Sequence, residues 1–351
     1  MMREEFMKSR LLIARSPLTK IVLVVVGLCC LLPLVSMAQA QPETKAAPTT
    51  QSTVSPQKPP TGARAFDTPQ AAADVLVKAA GDFDVPELLS LFGLEGKDIV
   101  ASTDTVQDKS SAQAFAKEAA AKKEVEISKS NPNRAYIIVG DLDWPFPVPL
   151  VRVSGKWYFD AKEGRQQILF RRIGANELDA ITVCRGFVEA QKEYASEIHD
   201  DSGVNQYAQK IFSTPGKQDG LYWQNSDGTS GGPIGDPVAK ALAEGYTIGK
   251  GGFHGYYFKI LKGQGPAAPM GRLDYVIEGI MIGGFALVAV PAEYRVTGVK
   301  TFMVNNDGIV YQKDLGPDSL KVVKEMELYN PDKSWQPTDD GWPQSVAAVA
   351  P

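Results

Sequence analysis

The sequence predicts an α+β protein of two domains: an N-terminal helix-plus-curved-antiparallel-sheet domain, then a C-terminal long helix packed on an antiparallel sheet. Three observations carry this. Helical periodicity precedes strand-like alternation in each half of the chain. Turn signals, Ser154-Gly155 and Asn306-Asp307-Gly308, join consecutive strand-like runs, which pairs those runs antiparallel. A chain of 351 residues is long enough for two ordinary domains even after its polar ends are set aside.

The N-terminal end reads as a targeting segment. Lys8, Arg10, Arg15 and Lys20 precede an apolar run over 21–32, Pro33 follows, and Ala38-Gln39-Ala40 offers a small-residue cleavage site. This is the layout of a secretory signal peptide over 1–40, with cleavage expected between Ala40 and Gln41, and it places the mature chain in the periplasm or outside the cell. Kept uncleaved, the run over 21–38 would be just long enough to weigh as a membrane anchor; Pro33 and the Ala-x-Ala site favour cleavage. Beyond residue 40 there remain 32 basic and 39 acidic residues, a balance of about −7, which argues against a nucleic-acid or anionic-membrane surface. No later apolar run would span a bilayer, since 277–290 is broken by Glu278, Gly279, Gly283 and Gly284. Cys29 and Cys30 lie in the signal segment, so Cys184 is the one thiol of the mature chain. No intrachain disulfide can form there, and the helical spacing around Cys184 makes it a small buried apolar side chain.

The elements follow in order. Residues 41–63 are rich in Pro, Thr, Gln, Ser and Ala and read as a disordered linker. A domain over 64–172 opens at Phe66, with Asp67 or Thr68 capping a helix that carries Pro69 in its first turn and Ala72, Val75, Leu76 and Ala79 on one face. A short helix over 84–91 and an Ala-rich helix over 110–123 come next. Strands are then expected over 134–139, 149–153 and 156–160, the last two forming a hairpin. The second domain, over 173–335, starts with a helix capped by Asn176 and running to about 196, with Leu178, Ile181, Cys184, Phe187, Val188 and Tyr194 at helical spacing. A loop-rich stretch covers 197–252. Strands over 256–261, 283–290, 299–305 and 309–313 complete the domain, and 336–351 reads as a disordered tail.

Several stretches carry a family resemblance. They are 143–149 (DWPFPVP), 171–177 (RRIGANE), 213–223 (STPGKQDGLYW), 254–259 (HGYYFK) and 283–289 (GGFALVA). By them the chain resembles the bacterial domain-of-unknown-function 2950 family over about 66–335, a resemblance that implies no activity and transfers no catalytic residue. The second domain is also similar to the globular part of type II pseudopilins, on Asn176-Glu177, Ala180-Ile181, Ala190-Gln191, Tyr194 and the late runs 298–302 and 306–310. That likeness implies a helix packed on an antiparallel sheet and favours protein partners, although here a whole polar domain precedes the helix. The first domain is similar in element order to nuclear-transport-factor-2-like cones.

Four groups of residues could carry chemistry. Gly228-Thr229-Ser230-Gly231-Gly232 matches G-x-S-x-G, and Ser230, Asp236 and His254 occur in hydrolase order, but the flanks read as loop rather than strand and helix. His254 reads as a structural hydrogen-bonding residue. Asp200, Asp201 and Asn205 could supply oxygen ligands to calcium on a turn closed by Gly203, against the plain reading of a solvated acidic turn. Asp141 and Asp143 would face one side of a strand. No catalytic or cofactor-binding residue is assigned. The leading expectation is an exported cell-envelope binding or assembly module with an envelope protein partner and no enzymatic activity. The alternatives are an extracytoplasmic hydrolase using Ser230 and His254, and a calcium-stabilised structural domain.

Overall fold

Thr68 turns the chain into its first helix as its spacing predicts: its hydroxyl accepts from the Ala71 amide, and Pro69 opens helix α1 (Pro69–Asp82). Asp84 does the same for α2 (Val85–Phe92), accepting from the Glu87 amide at 3.0 Å. The computed structural model describes residues 58–100, 105–199, 202–235 and 252–339. The expected signal peptide, most of the expected linker, and the tail beyond 339 lie outside the described residues. Part of the expected linker is tied to the fold, because the Leu94 amide donates to the Thr61 carbonyl at 3.1 Å.

After one helical turn, α3 (Lys97–Val100), comes α4 (Thr105–Ala121), which packs against α1. Next is an antiparallel sheet of β1 (Lys123–Ile127), β2 (Arg134–Val139), β3 (Leu150–Val153) and β4 (Lys156–Phe159) in sequential order, with Trp144–Pro145 also pairing to β2. Strand β2 alternates half-buried and buried residues, as a one-sided strand must. The buried side chains Leu76, Leu91, Ile137, Leu150 and Phe159 belong to one apolar cluster, where the Phe159 ring meets Phe92 edge-on at 5.2 Å.

The long helix begins earlier than the sequence reading placed it. Helix α5 (Ala161–Tyr194) starts at Asp160, whose carboxylate accepts from the Glu163 amide, so it runs straight through the expected boundary at 172–173. Asn176 caps nothing; its side-chain amide donates to the Thr297 carbonyl at 2.8 Å. The C-terminal half of α5 presents Ile181, Cys184, Phe187 and Tyr194 to a second apolar cluster. It packs on an antiparallel sheet whose order is β7 (Tyr256–Leu261), β8 (Ala286–Pro291), β9 (Thr301–Asn305), β10 (Tyr311–Lys313) and β11 (Gln336–Pro337). Between these stretches lies a short hairpin, β5 (Trp223–Gln224) and β6 (Ser230–Gly231). Strand β8 is buried along its whole length, and both α5 and α6 (Ser319–Glu325) pack on it. Strand β11, in the stretch read as tail, pairs with β10, and the Thr338 amide donates to the Val310 carbonyl. The fold class is thus α+β as expected. Among the described residues no helix is long and apolar enough to cross a membrane.

Cys184 is fully buried, and desolvation pushes its thiol up to about 12. The nucleophile in alkylation is the thiolate, so native protein starting at Gln41 is expected to resist iodoacetamide at pH 8 and to take up one equivalent once unfolded in guanidinium. Intact mass before and after unfolding reads this out; rapid modification of the native form would contradict the burial.

Candidate functional site

Where α5 ends, the chain turns back past the helix and builds a cleft of about 470 Å³, walled by residues 212–217 and 222–225. That size falls in the ~300–1,000 Å³ range of small-molecule sites. Its first wall is set by backbone pairing: the Tyr222 amide donates to the Ile211 carbonyl and the Ser213 amide to the Tyr222 carbonyl, both at 2.8 Å. From Ser213 the chain enters a type II turn, Thr214-Pro215-Gly216-Lys217. Proline fixes the second position, Gly216 takes φ +79° at the third, and the Lys217 amide closes the turn on the Thr214 carbonyl. The second wall is the β5–β6 hairpin, reversed at Gly228 with φ +83°. There the Asp227 carboxylate accepts from both the amide and the hydroxyl of Thr229.

Asp219 holds the turn in place. Its carboxylate accepts from the Thr214 amide at 2.6 Å, from the Thr214 hydroxyl at 2.8 Å and from the Lys210 ammonium at 2.7 Å. Desolvation alone would raise its pKa; the Lys210 and Thr214 hydrogen bonds outweigh it and hold the carboxyl down at about 2. A carboxyl depressed in the folded state stabilises the fold above its unfolded pKa, near 4, and loses that contribution as pH falls through about 2. Asp219→Asn is therefore expected to cost about 1–2 kcal/mol at pH 7, after allowance for partial solvent screening. The gap in Tm between wild type and variant should stay constant from pH 8 to 5 and close between pH 4 and 2. A gap independent of pH would mean that the charge contributes nothing.

Further anchors come from the end of α5. The Tyr194 hydroxyl donates to the Gln218 carbonyl at 2.6 Å, and its ring stacks on His199 at 4.1 Å. His199 in turn lies 5.3 Å from the Trp223 ring. Gln191, buried within α5, exchanges two hydrogen bonds with the Ala208 backbone and fixes the start of the return.

The family model described as "Protein of unknown function (DUF2950)" matches residues 63–338. The chain belongs to this family. No curated protein and no solved structure matches it. The pseudopilin resemblance is not confirmed.

Two stretches that carry the DUF2950 likeness become physically intelligible. Residues 213–223 are the turn, its aspartate clamp and the aromatic wall of the cleft. Residues 171–177 supply Arg172, Asn176 and Glu177, whose side chains bind the backbone of 296–300 from across the fold.

The residues singled out by sequence fall in different places. Ser230 sits in the β5–β6 hairpin, not at a strand-to-helix elbow, and its hydroxyl lies 3.3 Å from the Tyr222 hydroxyl. His254 occupies a two-residue turn with Gly255, both at positive φ, and its Nδ1 bonds to the Asp179 carboxylate on α5. Among the described residues Ser230 and His254 share no hydrogen bond, and Asp236 lies outside the described residues. The serine motif therefore has no elbow; Gly228 reverses the hairpin and Gly231 makes room for the neighbouring tryptophan. Asp200 and Asp201 lie outside the described residues, and the Asn205 amide nitrogen donates to the Ala195 carbonyl at the end of α5. Asp143 is not on a strand with Asp141: it lies in a turn at φ +53° and pairs with Lys122, because β2 stops at Val139. The aromatics of the Gly-rich loop, Tyr222 and Trp223 among them, suggest a ligand or partner surface, but sequence reasoning missed the turn and clamp that shape the cleft, and the His254–Asp179 pair. Thr-Pro-Gly followed by an aspartate and a Tyr-Trp pair was the available signal for the first; nothing local signals the second.

Proposed function

We propose that this DUF2950 member is an exported, non-enzymatic binding module of the cell envelope whose ligand occupies the cleft beside Trp223. One observation carries the reading. The cleft is shaped by the chain's own type II turn and Asp219 clamp, and its lining combines aromatic rings, hydroxyls, amides and Lys217 but includes no Asp, Glu, His or Cys. Such a lining can orient a molecule through rings, hydroxyls and amides, and it lacks the carboxylate, imidazole or thiol on which acid–base or nucleophilic catalysis most often rests. Export rests on the signal-peptide layout of residues 1–40.

Both halves of the reading can be tested on one preparation. Protein expressed at full length should be recovered from the extracytoplasmic fraction with Gln41 as its N-terminal residue. A cytoplasmic protein that retains Met1 or its first residues would overturn export. A small-molecule fragment library screened by NMR against the mature protein should perturb resonances of 212–217 and 222–225, and binders should raise Tm by mass action. If every hit maps elsewhere, the cleft is not the binding site.

A further inference from the structure

We infer that the cleft is a saccharide-binding site, with Trp223 as the platform on which a sugar ring stacks and Lys217 as the group that favours an acidic sugar. This rests on the binding-module reading above.

The first observation is how Trp223 is seated. Its indole lies across two consecutive glycines, Gly231 at the end of β6 and Gly232 just after it. A Cβ on Gly231 would come within 2.9 Å of Cδ1 and Cε2, and one on Gly232 within 3.0 Å of Cε3. No side chain fits under the ring, so it rests on bare backbone. The His199 ring, stacked on Tyr194 and with its Nε2 2.8 Å from the Tyr194 carbonyl, packs beside it. An aromatic ring fixed in this way is a rigid surface that presents its remaining area to the cleft at little conformational cost.

The second observation is what surrounds that ring. Ser213, Gln224 and Asn225 place one hydroxyl and two primary amides on the cleft wall. The Asn225 amide nitrogen is held by the Thr229 hydroxyl at 3.1 Å, which orients its oxygen. Hydroxyls and amides both donate and accept. A pyranose has complementary chemistry: a flat C–H face that packs on an aromatic ring, edged by hydroxyls that each donate and accept. The competing ligand classes fit less well. A phosphate or nucleotide would need several cations or a helix N-terminus, and Lys217 is the lone charged residue of the lining. A β-strand peptide would need an exposed edge longer than the two residues of β5 or β6. An acyl chain offers no donor to the Gln224 and Asn225 side-chain oxygens, whose amide nitrogens are already held by the Gly228 carbonyl and the Thr229 hydroxyl. Lys217, exposed and with no ion pair among the described residues, sits on the turn where it can meet a sugar carboxylate.

Isothermal titration of the mature protein with chitotetraose, cellotetraose and tetragalacturonate tests this and separates an amino-sugar, a neutral and an acidic glycan as sources. Saturable binding of tetragalacturonate, tighter than that of the two uncharged glycans, is expected. Trp223→Ala should weaken it at least tenfold. Trp223→Phe, which keeps an aromatic ring, should weaken it less and guards against a folding defect. Lys217→Ala should weaken tetragalacturonate at least threefold and leave the uncharged glycans unaffected. Silence from all three glycans, or binding unchanged in both tryptophan variants, overturns the proposal. Preference for an uncharged glycan keeps the platform and overturns the role of Lys217. If the fragment screen maps to the cleft while the glycans are silent, the saccharide assignment alone fails; if neither registers, the binding-module reading fails with it.

Discussion

Gly298→Ala is expected to destabilise the protein by about 3–4 kcal/mol, the sum of overpacking and a strained buried hydrogen bond. Gly298 lies against Tyr256. A Cβ there would press first on the phenol oxygen and come within 2.6 Å of Cζ and 2.7 Å of Cε2. The ring has nowhere to go. Tyr256 is fully buried, its face tilts against Phe302 at 5.9 Å, and its hydroxyl donates to the Lys300 carbonyl at 2.8 Å. Desolvation raises the phenol's pKa, so it remains a donor across the accessible pH range. Tyr256→Phe alone should cost about 1–2 kcal/mol, because it leaves that carbonyl unpaired. Since the phenol oxygen is the atom nearest the added methyl, the two changes should be non-additive: Gly298→Ala should cost less in the Tyr256→Phe background than in wild type. Urea unfolding of the four proteins measures the coupling. Strict additivity would show that the methyl is accommodated by the 293–300 backbone rather than by the ring.

How far the sequence carried the reading depends on where each element's stability comes from. Helices α1 and α2 announce themselves because Thr68 and Asp84 sit immediately before proline-bearing first turns, and both caps are local. Strands β2 and β7 were read to the residue from alternation and from a continuous apolar run. The first half of α5 was missed because Gly164 and the charged, weakly patterned stretch after it look like a break. Gly164 is there for packing: a Cβ would come within 2.6 Å of Val148 Cγ2, so the bare backbone lets β3's approach segment close on the helix. Strand β1, Lys-Glu-Val-Glu-Ile, carries charge on its exposed face and was lost for that reason. The short strands β5, β6 and β11 have too few residues for any period to register and depend on partners elsewhere in the chain. At the candidate site the sequence misled through its glycines. Gly228 and Gly232 complete a serine-hydrolase pattern, whereas Gly228 serves the hairpin reversal, Gly232 takes a positive φ against the Leu221 carbonyl, and Gly231 makes room for the Trp223 indole.

Glu177→Ala is expected to cost about 2–4 kcal/mol, because it orphans two backbone donors at once. Glu177 projects from the middle of α5, and a single carboxylate oxygen accepts from the Val299 amide at 2.9 Å and the Lys300 amide at 3.0 Å. Those amides lie where the chain enters β9, so the carboxylate fixes the helix to the start of a central strand. Three neighbours act in the same sense. Arg172 donates to the Val296 carbonyl, Asn176 to the Thr297 carbonyl, and Asp179 bonds to His254 at the turn into β7. Apolar packing between α5 and the sheet is concentrated in the C-terminal half of the helix, from Ala180 onward. The polar clamp therefore fixes the middle of the helix, over 172–179, to the sheet just ahead of that apolar stretch. Glu177→Gln separates geometry from charge. Its amide oxygen can accept the same two bonds, so it should retain most of the stability and lose only the charge assistance, about 1 kcal/mol. Equal losses in Ala and Gln would assign the effect to charge. A negligible loss in Ala would mean that water replaces the carboxylate and that the clamp is not what holds α5 to β9. Hydrogen exchange at the Val299 and Lys300 amides decides between these outcomes directly, since both should be protected in wild type and in Glu177→Gln and open in Glu177→Ala.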